Sequence, residues 1–243
     1  MLQPDAAVQA RIVGEASLPY DIHELQAHLN GKNQPDISHG RVVSLLLANS
    51  SESPKGYLGI SWVTQNLSPW AGGQTPFEEK LPNRAGFKLL EALQAFQIRL
   101  RPEDHALDLG AAPGAWTMVL RRHSMNVTAV APTPMYYWLQ DDPCIQIFPM
   151  TAESYLPLCR TTFDLLTNDM ILDAQDSARL MVDFASHLRS EGIAIMTLKL
   201  REHNRRRVMD HAFRILRKAY KIIHVRQLVN NRQEVTLFLR KHK

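Results

Sequence analysis

The amino-acid sequence predicts an α/β architecture: a mostly parallel seven-stranded sheet with an antiparallel C-terminal strand, preceded by a small N-terminal α/β module. Two observations predict it. From residue 76 onward, short apolar runs alternate with amphipathic stretches, as expected when strands are joined by crossover helices covering both faces of a sheet. Where the first of these strands meets its helix lies Asp108-Leu-Gly-Ala-Ala-Pro-Gly-Ala-Trp116, the place where the ligand crevice of a doubly wound sheet falls.

A hydrophobic fraction of 45% with 21% charged residues over 243 residues argues against global disorder and allows one large domain beside a smaller one. No run of eighteen apolar residues occurs, and the start of the chain carries Gln3, Asp5, Gln9 and Arg11 in place of an apolar signal segment. The expected setting is therefore cytoplasmic, with no membrane partner. Cys144 and Cys159 are too few for a disulfide framework, and neither they nor His105, His203 and His224 show metal-ligand spacing. Both cysteines are expected as small buried hydrophobes, and no metal is expected. The net charge of +4 hides an asymmetry, because residues 199–243 hold 14 Lys and Arg against 3 Asp and Glu, and the remainder 14 against 21. Such a basic end suggests a polyanionic partner, since neutralising phosphates releases their counterions.

Residues 1–75 are expected to form the small module and its linker. A helical segment at 21–29 leads into the turn-rich stretch 30–39, and strand-like runs at 41–47 and 57–63 flank a hairpin-like loop. The Gly- and Pro-rich stretch 68–76 reads as a linker to a second domain, 76–243. There Phe87, Leu90, Leu93 and Phe96 recur at helical spacing within 84–96. Strands are expected at 105–109, 126–130, 145–148, 163–167 and 192–198, with helices over 116–123, from Pro134 onward, over 178–188 and over 205–220. Strands at 221–228 and 235–240 close the chain around the turn Asn230-Asn231.

The loop from Asp108 to Trp116 is rich in small residues, and Gly110 and Gly114 can take conformations closed to other residues, so that backbone can approach a bound nucleoside. This stretch resembles motif I of the FtsJ-type ribose 2′-O-methyltransferases, which typically reads D-L-G-x-x-P-G-G-W; Ala115 stands where the family usually has a second glycine. The resemblance implies a Rossmann-like methyltransferase fold, S-adenosyl-L-methionine as cofactor, and an RNA ribose hydroxyl as methyl acceptor. It also implies cofactor binding by Asp108, Gly110, Ala111, Ala112, Pro113, Gly114 and Trp116, together with Asp169.

The same family carries a Lys-Asp-Lys-Glu tetrad, and each member has a candidate in chain order. Arg84-Ala-Gly-Phe-Lys88 resembles the helix before motif I, and Phe163-Asp-Leu-Leu-Thr-Asn-Asp169-Met170 the fourth-strand motif. Met196-Thr-Leu-Lys199 resembles the fifth-strand motif, and Asn231-Arg-Gln-Glu234 the start of the last strand. A ribose hydroxyl is a poor nucleophile until its proton is taken or its oxyanion stabilised. The resemblance thus implies Lys199 as general base or alkoxide stabiliser, oriented by Lys88, Asp169 and Glu234.

Gly59-Ile-Ser-Trp-Val-Thr-Gln-Asn-Leu-Ser-Pro-Trp70 and Arg226-Gln-Leu-Val-Asn-Asn-Arg-Gln-Glu-Val-Thr236 are similar to the branch that methylates a cytidine ribose in bacterial large-subunit ribosomal RNA. That branch normally carries a larger N-terminal RNA-binding region, so RNA docking is expected to differ in this chain. Two departures bear on the cofactor. The second strand ends at Ala131 without the acid that usually holds the cofactor ribose, and around Thr151 no acid appears until Glu153. Met135 and Trp138 are candidates to cover the adenine but fit core packing better. Arg201, Arg205, Arg206 and Arg207 follow Lys199 and are candidates to hold RNA phosphates. Two readings therefore stand: an RNA ribose methyltransferase, or a methyltransferase-like RNA-binding protein with weak or lost cofactor binding. A small-molecule methyltransferase fits the basic C-terminal segment poorly.

Overall fold

A computed structural model describes residues 6–13, 41–48 and 55–62 as backbone, and residues 81–243 other than 124, 201–203 and 229. The chain divides into two units, 1–78 and 79–243. In the first, β1 (Ala6–Val13), β2 (Arg41–Ala48) and β3 (Lys55–Trp62) form a sheet in the order β1-β2-β3. β1 runs parallel to β2, and β2 antiparallel to β3. β1 was not among the expected strands, although Val8, Ala10 and Ile12 alternate with Gln9 and Arg11 at strand period. The expected helix at 21–29, the linker at 68–76 and Arg201 lie outside the described residues.

The second unit strings together α1 (Arg84–Ala95), β4 (His105–Leu109), α2 (Ala115–Arg122), β5 (Asn126–Val130), α3 (Tyr137–Gln140), β6 (Ile145–Phe148) and α4 (Ala152–Tyr155). It continues through β7 (Phe163–Asn168), α5 (Ala174–Asp183), β8 (Leu188–Lys199), α6 (Arg205–Leu216), β9 (Tyr220–Arg226) and β10 (Glu234–Lys241). The seven strands take the order β6-β5-β4-β7-β8-β10-β9. Parallel pairing links β4 through β8, and β10 runs antiparallel to both β8 and β9. The chain starts this sheet at β4, moves outward to β6, and returns to β7 on the other side of β4. The direction of winding therefore reverses between β4 and β7, which opens a crevice at their carboxyl ends.

Side-chain alternation along β4 sorts the layers. Leu107 and Leu109 pack with Ala178 and Met181 of α5 and Val208 and Ala212 of α6. Asp108, between them in sequence, points to the opposite face, where Thr117 of α2 donates to it. α1 packs on α2, and α5 on α6. Cys159 is buried as expected, whereas Cys144 is only half-buried beside the β6 turn.

Boundaries differ where local geometry overrides periodicity. The helix expected at 178–188 starts at Ala174, because Ala174, Ala178 and Met181 already follow helical spacing into the core and Asp176 favours the first turn. It gives way to a 3₁₀ turn at Phe184–His187, so that β8 begins at Leu188 and not at 192. Phe163 pairs with Leu188 but Leu165 with Ile193. The extra residues are absorbed by an irregular stretch in which Glu191 has φ 60, and Gly192 is where the regular part resumes. The helix expected from Pro134 shrinks to four residues, and α4 is likewise too short for a 3.6-residue period to reveal.

Candidate active site

β4 ends at Leu109, and the chain turns through Gly110 (φ 73) and Gly114 (φ 119) into α2. Both positions need left-handed backbone, which glycine adopts without strain. A Cβ on Gly110 would fall 2.1 Å from Cγ of Met170, and one on Gly114 2.2 Å from Cδ1 of Leu139. The two glycines therefore also answer to the protein's own packing against Met170 and Leu139.

Asp108 is fully buried beneath this loop. Its Oδ2 accepts from Thr117 Oγ1 at 2.7 Å and its Oδ1 from Thr167 Oγ1 at 2.8 Å, which ties β4 to α2 and β7. Burial pushes its carboxyl up to about 6, partly countered by the two threonine hydroxyls, while neighbouring Asp169 adds to the rise. Trp116 is also buried and donates from Nε1 to Ala85 O at 2.7 Å, joining α2 to the start of α1.

Lys88, Asp169, Lys199 and Glu234 meet in one ring of alternating charge. Lys88 Nζ lies 2.6 Å from Glu234 Oε1 and 3.1 Å from each carboxylate oxygen of Asp169. Lys199 Nζ donates to Asp169 Oδ1 at 2.7 Å, to Thr197 Oγ1 at 2.7 Å and to Glu234 Oε2. Thr197 Oγ1 donates in turn to Asp169 Oδ1 at 2.6 Å. Four separate segments deliver these groups: α1, the turn after β7, the end of β8 and the start of β10. Strand register brings the last two together, because Glu234 is the direct antiparallel partner of Lys199. Glu234 is buried, which alone would raise its carboxyl, but hydrogen bonds from Lys199 and Lys88 outweigh burial and hold it below its ordinary value.

The β9–β10 turn that presents Glu234 is itself fastened. Asn231 Oδ1 accepts from Leu228 N at 2.8 Å and from Thr236 Oγ1 at 3.0 Å. Glu91, one turn beyond Lys88 on α1, accepts from Asn230 N at 2.9 Å and from its Nδ2 at 3.0 Å.

The ring forms one end of a cavity of about 970 Å³. Lys88, Asp169, Lys199 and Glu234 border it with Gly110 and Ala112 of the loop, and Val130, Ala131, Pro132, Thr133, Thr151 and Glu153 form its wall beyond β5 and β6. A second cavity of about 60 Å³ lies under the loop, bordered by Asp108, Ala111, Pro113 and Trp116, and it shares Gly110, Ala112 and Asp169 with the first. Gly114 borders neither, and instead starts α2. Met135 is buried in the core and Trp138 is exposed and stacked on Tyr136, with ring centroids 4.5 Å apart; neither borders the large cavity.

Three residues join the site without having been expected there. Thr197 had a usable signal, since it lies two residues before Lys199 on one strand and so shares its face. Arg84 had one too, at four residues before Lys88 on α1. Arg232 lies in a turn, and no periodicity marks it. Arg84 and Arg232 are exposed, line the cavity, and have no ion-pair partner among the described residues.

The fold and the loop at the carboxyl end of its first strand define a Rossmann-like methyltransferase domain. Residues 81–225 match the model of the FtsJ-like methyltransferase family, and the chain belongs to that family. Among curated proteins, the Ribosomal RNA large subunit methyltransferase M of Halorhodospira halophila is 36% identical over 165 residues, covering 66% of this chain and 47% of the relative. The protein of the same name in Tolumonas auensis is 30% identical over 224 residues, covering 85% of this chain and 59% of the relative. The chain thus spans about half the length of these relatives. Among solved structures, fibrillarin in its complex with Nop5p shares the fold at a TM-score of 0.57 and 17% identity, over 69% of this chain and 90% of that one.

Proposed function

We propose that this chain is an S-adenosylmethionine-dependent RNA ribose 2′-O-methyltransferase acting on ribosomal RNA in the cytoplasm. In this reading residues 76–243 are the catalytic domain and 1–75 a separate module. One observation carries the reading: two lysines and two carboxylates from four distant segments meet at the end of a cavity that opens onto the glycine loop.

The cavity fits the cofactor. Its volume, about 970 Å³, lies within the span of small-molecule sites, and Val130, Pro132 and Ile171 offer apolar wall for an adenine. Gly110, Ala112 and the Val130–Thr133 wall would hold S-adenosylmethionine, which when bound supplies a methyl group activated on a sulfonium. Lys199 gives its three N–H groups to Asp169, Thr197 and Glu234, and turning one of them to the acceptor oxygen would stabilise that oxygen as it attacks. Lys88 bonds the same two carboxylates, through both oxygens of Asp169 and Oε1 of Glu234, and so holds them in place for Lys199. The guanidinium groups of Arg84 and Arg232 at the cavity opening suit the phosphates flanking an acceptor ribose.

A second reading, an RNA-binding protein with weak or lost cofactor binding, draws on Ala131 and on Thr151, whose hydroxyl is engaged with Ser154 in capping α4. Transfer of labelled methyl to ribosomal RNA separates the two. Lys199→Ala is expected to lower transfer by about 10²–10³-fold, the usual loss of one transition-state donor. Equal transfer by wild type and variant would remove Lys199 from the reaction. Absent transfer by a wild type that still binds RNA favours the second reading.

A further inference from the structure

The wall of the large cavity beyond β5 lacks an acid where the strand ends: Ala131 is buried there, and Pro132 and Thr133 follow. β6 pairs alongside β5 with Phe148 opposite Val130, so the segment after β6 continues the same wall. Among the described residues, three acids border the cavity: Glu153, Asp169 and Glu234. Asp169 and Glu234 are each bonded to both lysines of the ring. Glu153 is exposed and has no ion-pair or hydrogen-bond partner among the described residues. Thr151 is occupied with Ser154, which leaves Glu153 as the uncommitted acid of that wall.

We infer that Glu153 takes the place of the missing strand-end acid and accepts hydrogen bonds from the vicinal hydroxyls of the cofactor's adenosine ribose. The inference rests on the cofactor assignment proposed above and deepens it. A carboxylate has two oxygens able to accept from both hydroxyls of a cis-diol, which is the task the acid at the end of the second strand performs in nucleoside-binding sheets of this kind. Supply from the next connection, one strand further out, preserves the chemistry while moving its origin from Ala131 to Glu153.

The test is calorimetric titration of the whole chain with S-adenosylhomocysteine and with its 2′-deoxyadenosyl analogue. Glu153→Gln is expected to weaken S-adenosylhomocysteine about tenfold, the scale of one exposed charge-assisted hydrogen bond, and to weaken the deoxy analogue much less. Adding Ala131→Asp to that variant is expected to restore most of the affinity, because it returns an acid to the same wall. Melting of the ligand-free variant should match wild type, since the Glu153 side chain has no bonding partner among the described residues. Undiminished binding of S-adenosylhomocysteine by Glu153→Gln, or equal losses for both ligands, would overturn the inference while leaving the cofactor assignment intact. Failure of the wild type to bind either ligand at millimolar concentration would overturn both.

Discussion

Glu234 is buried and receives hydrogen bonds from the ammonium groups of Lys88 and Lys199, whereas Asp108 is buried with the hydroxyls of Thr117 and Thr167 as its side-chain partners and no cation among them. The two acids therefore shift in opposite directions, and stability should depend on pH through both. Glu234 is held below its ordinary 4.5, so its contribution is present above that value and is lost as pH falls below it. Asp108 is raised from 3.8 to about 6, so its contribution is present below 3.8 and is lost as pH rises through about 6. Charging this buried group costs on the order of 3 kcal/mol. Melting temperature against pH should lose its acid-side fall in part in Glu234→Gln, and Asp108→Asn should flatten the decline between pH 4 and about 6. Glu234→Gln should also cost about 3 kcal/mol at neutral pH, because two buried ammonium groups lose one of their counter-charges. A Glu234→Gln protein that melts like wild type at every pH would contradict the ring's role in stability.

Among the elements, α1 does two jobs that its sequence shows unequally. Its apolar stripe at Phe87, Leu90, Leu93 and Phe96 was legible from spacing, and so was Lys88 from its resemblance to the family's helix. Glu91 was not. It is buried and fastens the β9–β10 turn through Asn230, an arrangement that arises only when residues separated by most of the domain fold together. Glu91→Ala should therefore loosen the turn that presents Glu234. The expected result is a fall in kcat for methyl transfer of about tenfold with KM for RNA little changed, alongside a loss of about 1–3 kcal/mol in stability for the freed turn amide. A rise in KM alone would place Glu91 in RNA binding and not in positioning. β8 teaches a related lesson. Its regular half from Gly192 was legible, whereas the irregular half from Leu188 depends on how β7 pairs with it. The four residues of the ring were expected only from four motifs in chain order; that Glu234 faces Lys199 is a property of strand register.

For the whole molecule, the strand order and its reversal between β4 and β7 place the crevice; alternation of apolar runs was enough to expect a parallel sheet, and the loop from Asp108 to Trp116 to expect the crevice beside it, but not the order of the strands. The concentration of positive charge in 199–243 was likewise visible from composition. Where that charge acts was not, because exposure and cavity lining decide it. Arg205, Arg206 and Arg207 are exposed at the start of α6, while Arg84, from outside the basic segment, borders the cavity with Arg232. RNA affinity should fall steeply with salt, and replacing Arg84 and Arg232 with alanine should reduce the slope of log affinity against log salt by about 1–2. An unchanged slope, measured by fluorescence anisotropy on labelled RNA, would remove both guanidinium groups from the phosphate path.

Nucleoside mass spectrometry tests directly whether the ring of lysines and carboxylates acts on a ribose hydroxyl. Unmodified large-subunit ribosomal RNA is incubated with the protein and isotopically labelled S-adenosylmethionine, digested, and its nucleosides separated. Label is expected on a ribose 2′-oxygen with wild type and is expected to be nearly absent with Lys199→Ala. Label on a base, or the same ribose label from both proteins, would contradict it.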